Sequence, residues 1–345
     1  MAKWYETPGE PASNVIYSRI RLARNWRDYP FPAKMTEEQC KELVDRLGAG
    51  LRGISALDGT KYRFAWLDGM AELEKTALIE RRAINRSFSK KKEAAGLILS
   101  EDERVSIALN GDDHIRIQIM EKGLNPLSCY ERADALDDYI SDRFAYSFDE
   151  KYGYLTAFPT NVGTGLRASV IVHLPFLSRR KNFSSLVADM GRFGTLIRGV
   201  YGEGGENFGS LYQVSNQKTL GQTEQEIIEL VKKTAVELDN QERRLQKEAQ
   251  EARPLTRADE AYKSYGILKY ARRLTRKDAM EFLSQVMTGV AAGILKTDGP
   301  CSIYGLMLGI QPANLLSMAE KPLNKEELDA ARADFLRARL PKIRQ

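Results

Sequence analysis

Seven residues, His114-Ile-Arg-Ile-Gln-Ile-Met120, alternate apolar and polar side chains more clearly than any other stretch of the chain. An extended strand with one buried face sorts such a pattern, because strand side chains repeat every second residue. Ile115, Ile117 and Ile119 then point one way, and His114, Arg116 and Gln118 point the other. A second strand is expected over 105–110, and Gly111-Asp112-Asp113 between the two is a turn signal. The pair reads as an antiparallel hairpin carrying carboxylates at its tip. His114 is expected to be a structural hydrogen-bonding partner.

Further strands are expected over 62–68, 167–174, 196–200 and 211–215. Helices are expected over 37–47, behind the capping box Thr36-Glu-Glu-Gln39, and over 182–193. Strands that mostly adjoin, with helices between some of them, indicate an α+β fold: a largely antiparallel sheet flanked by helices. A second capping box, Thr223-Glu-Gln-Glu226, opens a helix whose apolar face fades after Leu238. Residues 240–254 read as a solvated, charged helical linker between a sheet-bearing domain at 1–239 and a smaller all-helical domain at 255–345. Helices are expected there over 257–273 and 276–295, with a last one opened by Asn324-Lys-Glu-Glu327.

The 345-residue length suits two domains. The balance of 52 Lys and Arg against 47 Asp and Glu admits anionic partners but lacks the excess of a duplex-DNA binder, so nucleic acid is not an expected partner. Three scattered cysteines and two histidines give no structural zinc spacing, and no metal ligand set is expected. The first residues have no apolar signal segment and no window approaches 18 apolar residues, so a cytoplasmic protein without a membrane span is expected.

Arginine dominates the informative loops. Ser18-Arg-Ile-Arg21 would present Arg19 and Arg21 on one face of a strand. Arg116 lies on the polar face of the hairpin. Arg167 follows Gly163-Thr164-Gly165, small residues that can bring backbone N–H groups close to an anion. Arg198 precedes Gly199-Val-Tyr-Gly202-Glu203-Gly-Gly205. Five clustered guanidiniums would repel one another unless a multiply charged anion sat among them, and a nucleoside triphosphate is the natural candidate. Asp112 and Glu203 could then hold a cationic guanidinium and remove its proton as nitrogen attacks phosphorus. The P-loop signature and the HRD and DFG elements of ordinary protein kinases are absent.

Ser18-Arg-Ile-Arg21, Asn110-Gly-Asp-Asp-His-Ile-Arg116, Pro159-Thr-Asn-Val-Gly-Thr-Gly-Leu-Arg-Ala-Ser169 and Arg198-Gly-Val-Tyr-Gly-Glu203 resemble, in order, motifs of the ATP:guanidino phosphotransferases. Tyr212-Gln-Val-Ser-Asn-Gln217 and the helical extension resemble the bacterial protein-arginine kinases of that family. The resemblance implies that Ser18, Arg19, Arg21, Arg116, Arg167, Ala168, Ser169, Arg198, Gly199 and Gly202 bind ATP, with Mg2+ as the accompanying ion. It implies Asp112 as the base and Glu203 as the second guanidinium carboxylate. It further implies proteins with exposed arginine as substrates, marked by phosphorylation for regulated proteolysis. The partners it implies are an activator of the McsA type, a ClpC-type unfoldase and a second copy of the chain. Asp329 and Arg332 match part of a phosphoarginine-binding motif whose first arginine is Leu328 here, although on composition alone they read as a surface i,i+3 pair.

Two departures bear on chemistry. Asn110-Gly-Asp-Asp-His114 stands where the family has Asn-Glu-Glu-Asp-His, so the base carboxylate is one methylene shorter, and Phe158 stands where the family carries a reactive cysteine. A histidine of the protein-arginine kinases corresponds to Arg82. The alternative to an active kinase is therefore an adaptor that keeps nucleotide or phosphoarginine binding without the transfer.

Overall fold

A computed structural model describes residues 2–8, 13–201 and 207–344. Eight strands form one sheet: β1 (Val15–Arg24), β2 (Tyr62–Trp66), β3 (Gly96–Ser100), β4 (Val105–Leu109), β5 (Ile115–Lys122), β8 (Leu166–His173), β9 (Thr195–Gly199) and β10 (Leu211–Asn216). Their order is β2-β3-β4-β5-β1-β8-β10-β9, and each neighbouring pair is antiparallel. A small hairpin, β6 (Phe148–Asp149) and β7 (Gly153–Tyr154), stands apart. The expected hairpin forms with Leu109 opposite Ile115, so the five-residue connection 110–114 carries the carboxylates.

Alternation sorts the sheet into two unlike faces. On one face Ile20, Leu22, Ile107, Ile115, Ile117, Leu166, Ala168, Val170 and Val214 pack against α1 (Glu37–Gly50), α4 (Pro126–Ser141) and α6 (Glu224–Ala252). α5 (Phe183–Arg192) lies against β9. The opposite face carries the arginines, and two smaller cores cover parts of it. One joins Leu97, Leu99 and Ala108 to α2 (Glu72–Glu80) and α3 (Arg86–Ser89). The other joins Tyr17, Met120, Ile171 and Leu211 to the C-terminal helices α7 (Pro254–Tyr270), α8 (Arg276–Ala291), α9 (Ile303–Gly309) and α11 (Lys325–Arg339). The short α10 (Pro312–Leu316) is held by Glu80, whose carboxylate accepts the backbone N–H groups of Ala313 and Asn314 at 3.0 Å. No helix of the described residues is long and apolar enough to cross a membrane.

The capping boxes at Thr36 and Thr223 form as expected. β3, α2 and α4 lie outside the elements expected from the sequence. The stretch 240–252 is helical, yet the expectation of a solvated linker needs correction. Glu242 is wholly buried and accepts the backbone N–H groups of Phe176 and Leu177, and Leu245 joins the core.

Both histidines are buried and neutral. His173 pairs through Nε2 with Ser284 Oγ at 2.7 Å, joining the sheet to α8, and burial lowers its pKa to about 3. His114 accepts the Trp26 N–H on Nδ1 and donates from Nε2 to Pro30 O, and burial lowers its pKa to about 4. Folded values below the ordinary one near 6.5 mean that their contribution is complete above pH 6.5 and is lost as pH falls. Urea unfolding is expected to show stability dropping from about pH 6.5 toward pH 4, by at most roughly 2.7 kcal/mol per pH unit for two protons. A flat profile over that range would contradict neutral burial.

Candidate active site

Five neighbouring strands build the site. Arg19 and Arg21 alternate with the core residues Ile20 and Leu22 on β1, so both face away from the main core. Arg167 lies directly across from Arg21, Arg116 across from Ala23, and Ser169 across from Arg19. Arg198 lies across from Gln213, which accepts a 2.7 Å bond from Arg19 Nη2. Like charges on facing strand positions destabilise a sheet. Here the pKa values record it: Arg21 is held well below its ordinary value by burial and by Arg19, Arg116 and Arg167. Arg167 is lowered by burial, Arg198 and Arg19. Arg116 is lowered to about 10 by burial, against the opposing pull of Asp112. Guanidinium groups stay ionised nonetheless, so the crowding is a cost carried by the ligand-free fold.

The Nε atoms of Arg19, Arg21 and Arg116 are buried without a partner, and so are the hydroxyls of Ser169 and Ser215. Buried donors are normally satisfied, so these atoms could meet the acceptors of a ligand. Arg21, Arg116, Arg167, Asp112, Asp113 and Asn161 line a cleft with about 650 Å³ of empty space.

The two aspartates of the β4–β5 turn are not equivalent. Asp113 is buried, accepts from Asn25 Nδ2 and the Ala157 N–H at 2.7 Å each, and has its carboxyl pushed up by burial. It is a structural anchor. Asp112 is half-buried, bonded to Ser87 Oγ at 2.7 Å, and it raises the pKa of Arg116. It is the carboxylate available to a ligand.

Other expected site residues fall elsewhere. Ser18 lies on the opposite face from Arg19, its hydroxyl donating to Gly123 O and accepting from the Asn125 N–H. Ala168 packs in the main core and its N–H donates to Asn216 Oδ1. Both follow from strand parity, which sends alternate residues to opposite faces. Gly199 is exposed beside Asn207. Gly202 and Glu203 lie outside the described residues. The Gly163–Gly165 loop is no open anion cradle, because the Gly163 and Thr164 N–H groups donate to Tyr154 O and Thr219 O. Its glycines serve close packing: at Gly165, with φ +63°, a Cβ would fall 2.5 Å from Arg24 Nη1.

Asp329 and Arg332 are buried, not a surface pair. Arg332 bonds Asp329 Oδ1 at 2.6 Å, Leu274 O at 2.7 Å and Ile310 O at 3.0 Å, tying α11 to the segments before α8 and α10. Nε and Nη1 are thus engaged within the fold. Removing one partner of a buried pair leaves the other charge stranded. Arg332→Ala is expected to destabilise the protein by about 3 kcal/mol or more in urea unfolding.

Sequence reasoning missed Ser87, Gln213, Ser215, Arg24 and Asn25. Parity along β10 would have flagged Gln213 and Ser215, which face Arg198 and Ser169.

A single antiparallel sheet that collects arginines from adjacent strands opposite a carboxylate turn defines a guanidino-kinase type of phosphotransferase. Residues 43–245 match the model of the ATP:guanido phosphotransferase C-terminal catalytic domain, and residues 254–345 match that of the protein-arginine kinase McsB C-terminal domain. The chain belongs to the ATP:guanido phosphotransferase family. It is 38% identical over 328 residues to the protein-arginine kinase of Caldanaerobacter subterraneus, covering 95% of this chain and 97% of that protein. It is 39% identical over 344 residues to that of Symbiobacterium thermophilum, covering 98% and 96%. Among solved structures, lombricine kinase superposes with a TM-score of 0.60 at 25% identity, covering 73% of this chain and 72% of that one. A taurocyamine kinase from Schistosoma mansoni superposes with a TM-score of 0.57 at 27% identity, covering 65% and 32%.

Proposed function

We propose that this protein is a protein-arginine kinase that transfers the γ-phosphoryl group of ATP to arginine side chains of other proteins. The observation that carries the reading is the cleft lined by Arg21, Arg116 and Arg167 opposite Asp112, with Arg19 and Arg198 as their charged neighbours on the same sheet. The donor set fits a polyphosphate: planar guanidiniums bind phosphate oxygens in forks, and the ligand's charge would relieve their mutual repulsion. Arg19, Arg21, Arg116, Arg167 and Arg198 would hold the phosphates and neutralise charge that builds up during transfer.

Asp112 would accept a hydrogen bond from the target guanidinium and take its proton as the N–P bond forms. The P–O bond to the departing diphosphate breaks in the same displacement. Magnesium, when bound with the nucleotide, would supply further neutralisation of phosphoryl charge. Among the described residues no group of three or more His, Cys, Asp and Glu side chains converges, so its contacts would come chiefly from the nucleotide. The names of the relatives, protein-arginine kinases along nearly their whole length, support proteins as the acceptors. Marking of substrates for regulated proteolysis in the cytoplasm, activation by an McsA-type partner, delivery to a ClpC-type unfoldase and self-association accompany this reading as further expectations.

The test is incubation with magnesium-ATP and an arginine-rich protein, followed by mass spectrometry for acid-labile phosphate on arginine. Phosphoarginine that disappears after brief acid treatment is the expected result. A folded preparation that binds nucleotide yet labels no arginine overturns the reading.

A further inference from the structure

We propose that Arg24 and Asn25, consecutive residues at the end of β1, are positioning residues, each fixing one half of the site. Arg24 sets the strand entry that carries Arg167, and Asn25 sets the turn that carries Asp112. The inference rests on the phosphotransfer reading above.

Arg24 is almost fully buried and every part of its guanidinium is engaged. Nε and Nη2 meet Asp137 Oδ2 at 2.9 and 2.7 Å, while Nη1 donates to Thr164 O and Ala23 O at 2.9 Å each. The group stacks 3.5 Å above the Tyr154 ring. The carbonyl it holds belongs to Thr164, whose own hydroxyl accepts the Leu166 N–H where β8 begins. Ala23 closes the same junction by donating its N–H to Gly165 O. Arg24 thus fixes the three residues before Arg167 from beneath, and Gly165 lacks a side chain where that guanidinium passes.

Asn25 reaches the other way. Its amide donates to Asp113 Oδ1 at 2.7 Å and Leu155 O at 3.0 Å, and its oxygen accepts the His114 N–H at 2.9 Å. Asp113 in turn accepts the Ala157 N–H, and Gly111 donates to Asp113 O at 2.9 Å. Asp112 is therefore suspended between two fixed neighbours. Neither Arg24 nor Asn25 lines the cleft, so neither is a catalytic residue. The two anchors are adjacent in the chain, with Cα atoms about 3.8 Å apart across one peptide unit. That single step ties the phosphate-holding arm to the proton-accepting arm. In-line transfer depends on this spacing, because a misplacement of about 1 Å can cost on the order of 10²-fold in rate.

The experiment uses the full chain and two variants, Arg24→Lys and Asn25→Ala. Lysine keeps the charge for Asp137 but lacks the planar fork that reaches Asp137 and the Thr164 carbonyl from separate nitrogens. Three readouts are taken: nucleotide Kd by calorimetry, kcat for protein phosphorylation, and hydrogen–deuterium exchange by segment. Arg24→Lys is expected to weaken nucleotide binding by about tenfold, with kcat changed less, and to speed exchange at 163–167 but not at 111–114. Asn25→Ala is expected to lower kcat by about tenfold or more at nearly unchanged nucleotide Kd, and to speed exchange at 111–114 and 155–157 but not at 163–167. If Asn25→Ala fails to fold, Asn25→Ser, which keeps a donor for Asp113, takes its place.

Parallel changes in Kd, kcat and exchange for both variants overturn the division of labour and leave only a shared structural role. A wild-type protein that neither binds magnesium-ATP nor labels arginine overturns the phosphotransfer reading itself, and the assignment with it. Exchange localised as described, in an active enzyme, supports both.

Discussion

Arg21→Met is expected to abolish detectable phosphoryl transfer while raising the melting temperature of the ligand-free protein. The two effects have one cause. Arg21 is half-buried on the sheet beside Arg19, Arg116 and Arg167, and its buried Nε has no partner. Without a ligand its charge is repelled by three neighbours and desolvated at once, so an apolar chain of similar length relieves the fold. Under the proposed function the same charge would meet a phosphate of the nucleotide. Losing it should weaken nucleotide binding by roughly 10²-fold, about 3 kcal/mol. Losing a donor to charge developing in the transition state should cost about 10²–10³ in kcat beyond that. Thermal scans with and without magnesium-ATP check the pair. The wild type should show a large ligand-induced rise, and the variant a higher baseline with almost no rise. A variant less stable than wild type without ligand would contradict the repulsion argument.

Asp112→Asn should separate chemistry from binding. The substitution keeps volume and can still accept from Ser87, but it removes the charge that, under the proposed function, would orient a guanidinium and accept its proton. The expected loss in kcat is about 10²–10⁴-fold with nucleotide affinity little changed. Asp113→Asn is the contrasting variant. Asp113 receives the Asn25 amide and the Ala157 N–H, so its loss should appear as lower stability and a misplaced turn. If Asp113→Asn rather than Asp112→Asn stopped transfer in a stable protein, the assignment of the base would be reversed. The shorter carboxylate, Asp112 where the family carries glutamate, makes a further comparison direct: Asp112→Glu alone should change kcat without changing nucleotide affinity.

The sheet and its arginine face were legible because they rest on local pattern. The isoleucines at 115, 117 and 119 leave one sorting of faces, and the Arg19–Arg21 spacing leaves one parity. The same parity sends Ser18 and Ala168 to the opposite face, yet both were carried to the site because they sit within motifs whose other residues belong there. What stayed hidden depends on partners far along the chain. Glu242 lies in a run of charged residues and reads as solvated. It is buried because two backbone donors at Phe176 and Leu177 meet it there. Arg332 reads as a surface residue and is buried because Leu274, Ile310 and Asp329 supply acceptors from three segments. Composition records charge but not the acceptors that make its burial tolerable.

The shared core between the arginine face and the C-terminal helices bears on how this architecture can be cut and recombined. Tyr17, Met120, Ile171 and Leu211 are the sheet's half of that contact, beside Met280, Leu283 and Met307 from the helices. Severing the chain near residue 253 would strip a greasy floor bare next to the phosphate cleft, so the front piece should be sticky and short-lived on its own. Grafting the rear module from a relative would succeed only where those four floor residues travel with it.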